Sequence, residues 1–503
     1  MRRLASLLAL AALGAGIAGC GGDEPSGPLE EGLGFLPKNA PFVVAIDTDP
    51  NSGQYKSLGR IVERFPFGGQ LKRSLESQLE ESGEVSFQRD LKPLLGNPFV
   101  IGGVSARSIT GGGQDHNNEF VGALKVKDKG KLESVVKKQG AKQDGESGDA
   151  KLYKDDDGDS FAIRDDVLVV AGSKRLLESA LERRGGDDHM GQEVFDKGLE
   201  GLPKDALLRA YADVAALIRS EPGSRDAQRI KWVSSLTTLG ATAQASDDAV
   251  AVDFKLRTKD GLSERDLPVA VGDEAPGVVE RAGEIGLGLR DPSRLAKFGE
   301  AALQAADPSG YGQYSAGKRQ IQQRYGVNVD RDVIDQLKGD AAMSFSVDGK
   351  WATRAEVEDP AAMKRTLRKL APALPGLLAG SGSRGARLAK PGRGEDFYAL
   401  AEPGGKRVAF GVVGDALVVA TDGTRAGQFA DASPATLGDA KGAVVLKADA
   451  EQVGDRLLGR LGPRGGVGGA FGGRLFTAPL GELKGWVKAD TSAMTGKFTL
   501  GVD

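Results

Sequence analysis

Short apolar runs and amphipathic stretches alternate along this chain, and their spacing predicts its elements. Phe42 to Thr48 reads as a strand. Ile61, Val62, Phe65, Leu71, Leu75 and Leu79 recur at helical spacing, which predicts an amphipathic helical region over Leu58 to Leu79, broken at Pro66. A short helix ends at Leu95-Gly96, and strands follow at Phe99 to Val104 and Phe120 to Val126. A helix is expected over Lys131 to Lys138. Leu152-Tyr153 and Ser160 to Arg164 flank an acidic turn, and Asp165-Asp166 turns into the apolar strand Val167 to Ala171. Helices over Lys174 to Glu182 and near Val194 to Leu199 lead to a strand at Leu207 to Ala212 and a helix at Val214 to Arg219. A hairpin of Ala241 to Ala245 and Ala249 to Leu256 closes the set. In its second arm Val250, Val252, Phe254 and Leu256 fall on alternate positions, so one face is expected to be buried. Strands joined by short turns pair antiparallel, and helices among them make the class α+β.

The same order of elements occurs twice. Phe161, Asp166, Leu168 and Ala171 align with Phe410, Asp415, Leu417 and Ala420 at a constant offset of 249 (410 − 161 and 417 − 168). Tyr153 matches Tyr398, Arg89-Asp90-Leu91 matches Arg331-Asp332-Val333, and Val126-Lys-Asp128 matches Val357-Glu-Asp359. Leu239 to Phe254 matches Leu483 to Phe498. Two homologous domains are therefore expected, at 35–258 and 268–503, each a largely antiparallel sheet packed with helices. The boundary falls in the turn-rich stretch Thr258 to Gly272.

The first residues have a different pattern. Arg2 and Arg3 precede the apolar stretch Leu4 to Ile17, which falls short of the roughly 20 residues that a bilayer span needs. It reads as a signal peptide over 1–19. The stretch ends Ile17-Ala18-Gly19-Cys20, small residues before the chain's single cysteine. This is the arrangement of a lipobox, in which the cysteine is acylated and becomes the mature N-terminus. Cys20 is the expected lipidation site, and 20–34 an acylated cysteine with a flexible Gly/Pro/acid tether.

The lipobox, the tether, the opening Leu36-Pro37-Lys-Asn-Ala40-Pro41-Phe-Val-Val-Ala-Ile-Asp47 and the recurrent Asp-Asp-Val-Leu-Val-Val-Ala resemble the bacterial lipoproteins of the domain of unknown function 3352 family. The resemblance covers most of the mature chain. It agrees with the architecture above, and implies no activity and no site residues.

Composition narrows the function. Of 503 residues, 67 are basic and 70 acidic, so there is no global electrostatic reason to bind nucleic acid. Hydrophobic residues at 40% suffice for real cores. One cysteine excludes an internal disulfide framework, and two histidines leave little for a histidine-built metal site. Asp155-Asp156-Asp157-Gly158-Asp159 alternates carboxylates as a calcium loop does, but Ser160 and Asp166 stand where such a loop wants glycine and glutamate, so it reads as a solvated turn. His116 and His189 are isolated, and Gly465 to Gly473 lacks the strand, the helix and the Gly-Lys-Ser/Thr of a phosphate loop. Met363, Leu367, Leu370 and Leu374 form a stripe that packs on its own sheet rather than on a membrane. No catalytic, cofactor-binding or metal-ligating residues are expected. The reading is a non-enzymatic binding or scaffold lipoprotein, extracytoplasmic and lipid-anchored to the cell membrane, with an apolar ligand or an envelope protein as partner. The alternative is a carrier of lipid or another apolar ligand in a cavity between sheet and helices.

Overall fold

The computed structural model describes residues 27–66, 68–69, 85–106, 119–155, 160–376, 385–391, 396–401, 407–461 and 476–503. The chain divides into two compact units. One runs through Ser224, resumes over Leu236–Arg257 and takes Gly501–Asp503; the other comprises Arg225–Ser235 and Thr258–Leu500.

The strands of the first unit are β1 (Phe42–Ile46), β2 (Phe99–Gly103), β3 (Phe120–Lys125), β4 (Lys142–Ser147), β5 (Ala150–Lys154), β6 (Ser160–Arg164), β7 (Val167–Ala171), β8 (Leu208–Asp213), β9 (Leu236–Ala245) and β10 (Ala249–Thr258). They lie in the order β4-β5-β6-β7-β3-β2-β1-β8-β9-β10, and the pairs from β4 to β9 are antiparallel. The second unit contains β11 (Glu284–Arg290), β12 (Asp340–Ser346), β13 (Trp351–Glu356), β14 (Arg387–Ala389), β15 (Tyr398–Ala401), β16 (Arg407–Val413), β17 (Ala416–Ala420), β18 (Val444–Asp449), β19 (Leu480–Ala489) and β20 (Ala493–Val502). Their order, β14-β15-β16-β17-β13-β12-β11-β18-β19-β20, repeats that of the first unit.

The repeat extends to single residues. Tyr153 stacks on Phe161 with ring centroids 5.3 Å apart and 10° between planes, and Tyr398 stacks on Phe410 at 5.3 Å and 14°. The β6–β7 turn has Asp165 at φ 52°, and the β16–β17 turn has Gly414 at φ 58°, the left-handed conformation that a tight hairpin requires. Asp166 and Asp415 each accept, through their carbonyls, the amide that follows β3 or β13, Val126 and Val357, at 2.8 Å.

Helices cover both faces of the first sheet. On one face, α1 (Pro28–Leu33) and α4 (Lys174–Arg184) contribute to a cluster with Val43, Val100, Val121 and Val169. On the other, Phe87, Leu91 and Leu94 join α3 (Lys129–Lys138) over Phe99, Leu124 and Leu168. Between α1 and α3 the chain forms α2 (Gly53–Arg64), capped by the Ser52 hydroxyl. Helices α5 (Gln192–Gly198) and α6 (Val214–Ser220) flank β8. The second unit has α7 (Pro292–Ala306), α8 (Pro308–Tyr325), α9 (Pro360–Leu370), α10 (Gly423–Ala430) and α11 (Ala450–Leu461). Met363 of α9 is fully buried against Val357 and Val412, so the apolar stripe of this helix packs on its own sheet.

Four expectations change. The tether does not reach Gly34, because Pro28–Leu33 is helical. Pro28 opens the helix, and Leu29 and Leu33 lie one turn apart and are buried at 7% and 0% exposure. The amphipathic region over Leu58 to Leu79 begins earlier, at Gly53, and α2 ends at Arg64; residues 67 and 70–84 lie outside the described residues. The segment 225–235 belongs to the second unit, where Lys231 pairs with Asp266 at 2.6 Å and Trp232 meets Phe298 edge-on at 6.3 Å. No hydrophobic pattern predicts strand β4. Its sequence, Lys-Gln-Asp-Gly-Glu-Ser, has no apolar residue, and it forms a bulged, exposed edge, a composition that discourages further strand pairing.

Candidate functional site

Cys20 and the leader over 1–19 lie outside the described residues, as do His116, Gly465 to Gly473 and all of the acidic turn after Asp155. His189 is half-buried beside Pro37, and its Nδ1 lies 2.8 Å from the Gly186 carbonyl. Among the described residues there is no group of three or more His, Cys, Asp or Glu side chains placed to hold a metal ion. No helix among them is long and apolar enough to cross a membrane.

The buried polar chemistry sits elsewhere. In the first unit Asp90, 3% exposed, accepts from the Ser86 amide at 2.9 Å, from Lys138 at 2.9 Å and from Arg89 at 3.2 Å. Burial alone would raise its pKa, but the amide and the two cations outweigh it and hold the carboxyl well below the usual carboxylate range. Asp332 repeats the pattern with the Asn328 amide at 2.8 Å and Arg331 at 2.7 Å.

In the second unit β11, β12 and α10 bring together Glu284, Ser344 and Arg425, exposed by 8%, 0% and 6%. Arg425 forms a bidentate pair with Glu284, one arm at 2.9 Å, and the Ser344 hydroxyl donates to the same carboxylate. Arg281 stands 3.6 Å away. Burial pushes Glu284 up, but Arg425 and Ser344 more than offset this and keep it ionised. The hydroxyl is thus committed to a carboxylate and sealed from solvent, so the trio is a structural pin. No sequence spacing reveals it, because its members lie 60 and 141 positions apart and meet only through the sheet register.

The same register identifies what the first unit has instead. Val43 faces Gly102 as Gly286 faces Ser344. A Cβ on Gly102 would lie 2.7 Å from Leu36, so an apolar side chain fills the space. Ser173 caps α4 as Asp422 caps α10, and three residues later Leu176 stands where Arg425 does.

In Asp47 and Asp340 the upward push of burial prevails over the opposing hydrogen bonds and charges, and their pKa values are raised. Asp47 accepts from the Asp49 amide at 2.8 Å, and Asp340 lies near Glu356. Lys318 is shared between Glu300 at 2.9 Å and Asp330 at 2.6 Å, which raise its pKa against the opposing effect of burial. A depression lined by Leu437, Asp439, Lys484, Trp486 and Lys497 has room for about one water.

One apolar surface is conspicuously unsealed. Ile285, Leu287, Met343, Trp351 and Leu446 share a face of β13, β12, β11 and β18 by register, and all are half-buried. Phe345, between Ile285 and Trp351, is 43% exposed.

The protein family described as "Protein of unknown function (DUF3352)" matches residues 4–374. The chain belongs to this family. The match runs through the first copy and well into the second. No curated protein matches the chain. Among solved structures, crystal form III of TP0453 aligns with TM-score 0.26 and 11% identity, covering 46% of this chain and 81% of that one. Crystal form I gives 0.27 and 12%, over 46% and 80%. Such scores do not establish a common fold. No activity comes to the chain from its family.

Proposed function

We propose that the protein is a non-enzymatic binding or scaffold lipoprotein, held at an extracytoplasmic membrane face by acyl groups on Cys20. One observation supports the non-enzymatic half most directly. The most deeply buried ionisable side chains, Asp90, Glu284 and Arg425, are each committed to backbone amides or to one another. The anchor reading rests on the leader and the single cysteine. Since α1 begins at Pro28, only seven residues separate it from Cys20, and they span at most roughly 28 Å even when fully extended. The folded part is then held against the bilayer. Cys20→Ala should leave the protein unprocessed or release it from membranes. Persistence of a processed, membrane-bound Cys20→Ala chain would end this reading.

The carrier alternative is favoured by the half-buried apolar face of β13, β12, β11 and β18. Native mass spectrometry of the membrane-extracted protein separates the two. Stoichiometric co-purified lipid supports a carrier, and a bare polypeptide mass supports a scaffold.

A further inference from the structure

The helices that follow the first strand of each copy are fastened in opposite ways. Asp49 to Asp90 and Asp291 to Asp332 align at one offset of 242 (291 − 49 and 332 − 90), so α7 takes the place of α2. Tyr55 and Ile61 of α2 are buried, Gln54 accepts the Ala245 amide at 2.8 Å, and the Ser57 hydroxyl donates to Asp247 at 3.0 Å. At the same positions α7 has Lys297, Leu303, Ala296 and Gly299; Leu303 is half-buried and the other three are exposed. Across α7 and α8 the one fully buried side chain is that of Ser293, and no apolar side chain reaches full burial.

Charge holds these two helices instead. Lys318 of α8 lies 2.9 Å from Glu300 of α7, which ties the helices to each other. It also lies 2.6 Å from Asp330, and Lys297 lies 2.6 Å from Asp335, so both helices are tied to the chain that follows them. The first copy has Leu58 and Gln88 where the second has Glu300 and Asp330, and Leu58 packs against the cluster of Ile61 and Ala245. Both ends of the pair are left-handed joints: Asp291 precedes α7 at φ 49°, and Gly326 follows α8 at φ 65°. Asp307 alone separates the helices, and its carboxylate accepts the Gly310 amide at 2.8 Å. Arg294, on the Glu264 carbonyl at 2.6 Å, and Phe298, edge-on to Trp232, lie in the first two turns of α7, close to the Asp291 joint. The free energy of a local opening follows the apolar contacts that it breaks, and here they are few.

We propose that α7 and α8 form a strap that opens as one body about Asp291 and Gly326 while the sheet of the second unit stays folded, and that the pairs Lys318–Asp330 and Lys297–Asp335 are its latch. Opening gives water access to Leu303, Tyr311 and Ile321, which are half-buried in the closed strap. The strap goes beyond the function proposed above and depends on neither the anchor nor a ligand.

Native-state hydrogen exchange of the full chain tests it. Interior amides of α7 and α8 should share one protection factor within about threefold, at least about tenfold below that of β11 and β12. Asp330→Asn/Asp335→Asn removes the latch and leaves the Glu300–Lys318 tie; it should speed exchange of both helices together by at least about threefold, with β11 and β12 unchanged. Raising the salt to 1 M, where charges are screened within about 3 Å, should speed the parent in the same direction and the double variant less. The proposal is overturned if α7 and α8 are as protected as β11 and β12, if the two helices exchange at unrelated rates, or if the double variant leaves their exchange unchanged. A double variant that fails to fold overturns it as well, because the helices would then be part of the core.

Discussion

The two copies share a strand order but not a way of being held together. Among the described residues of the first unit, 23 buried residues form the cluster on one sheet face and 16 that on the other. Among the described residues of the second unit the corresponding clusters hold nine, and three plus three. Of those nine, six are alanine, which bury little area apiece. Where the first unit places Leu36 and Leu176, the second places Ser344 and Arg425 with Glu284. One topology thus tolerates both an apolar filling and an ionic pin. The pin costs desolvation of two charges and gives geometric definition in return. The unit with the thinner core also carries the half-buried apolar sheet face.

The sharpest way to break this contrast is to remove half of the pin. Arg425→Met leaves Glu284 buried without its bidentate partner, with the Ser344 hydroxyl and the more distant Arg281 as its remaining partners, and should cost about 3–5 kcal/mol, seen as an early calorimetric transition of the second unit alone. Glu284→Leu/Arg425→Met should recover most of that loss, because a buried pair exchanged for apolar residues of similar size is near neutral. Next in size comes the central leucine of each copy. Leu168 is 2% exposed within the 16-residue cluster, and Leu168→Ala should cost about 2–5 kcal/mol in denaturant unfolding. Leu417 is half-buried in β17, so Leu417→Ala should cost less, about 1–2 kcal/mol, although the repeat alone would assign both the same loss.

That difference marks where the sequence was legible. Apolar runs bounded by turns locate β6 and β7 almost to the residue, the 249-residue offset pairs Phe161 with Phe410, and the preserved order of elements pairs Tyr153 with Tyr398. Periodicity reports which side chains face inward, not how completely the opposite layer seals them, so Leu168 and Leu417 looked alike. The polar edge strand β4 carries no hydrophobic signal, and α1 hides two buried leucines within a glycine-, proline- and acid-rich stretch. The Glu284–Arg425 pin is invisible along the chain because the sheet alone joins it.

Acid titration sharpens the comparison more gently. A carboxyl whose folded pKa is depressed contributes stability above its unfolded value of about 4, and the contribution is lost as pH falls towards the folded value. Asp90→Asn should cost about 1–3 kcal/mol at pH 7 and flatten the loss of stability between about pH 4 and pH 2. Asp332→Asn should do less, since the side chain of its partner Arg331 is 74% exposed. Smallest of all, replacing Asp155, Asp157 and Asp159 together with Asn should change stability by no more than about 1 kcal/mol, with or without calcium. A calcium-dependent rise in melting temperature that the triple variant abolishes would make that turn a binding site.

Native-state hydrogen exchange of the full chain tests most directly whether one topology is stabilised in two different ways. Amides of β6 and β7 should exchange only through the highest-energy openings, and those of β16 and β17 through openings lower by several kcal/mol. The β16 and β17 amides should also respond to Arg425→Met, while β6 and β7 remain unchanged. Equal protection of the two strand pairs, or a response of β6 and β7 to that variant, would contradict the division between a copy held by burial and a copy held by its ionic pin.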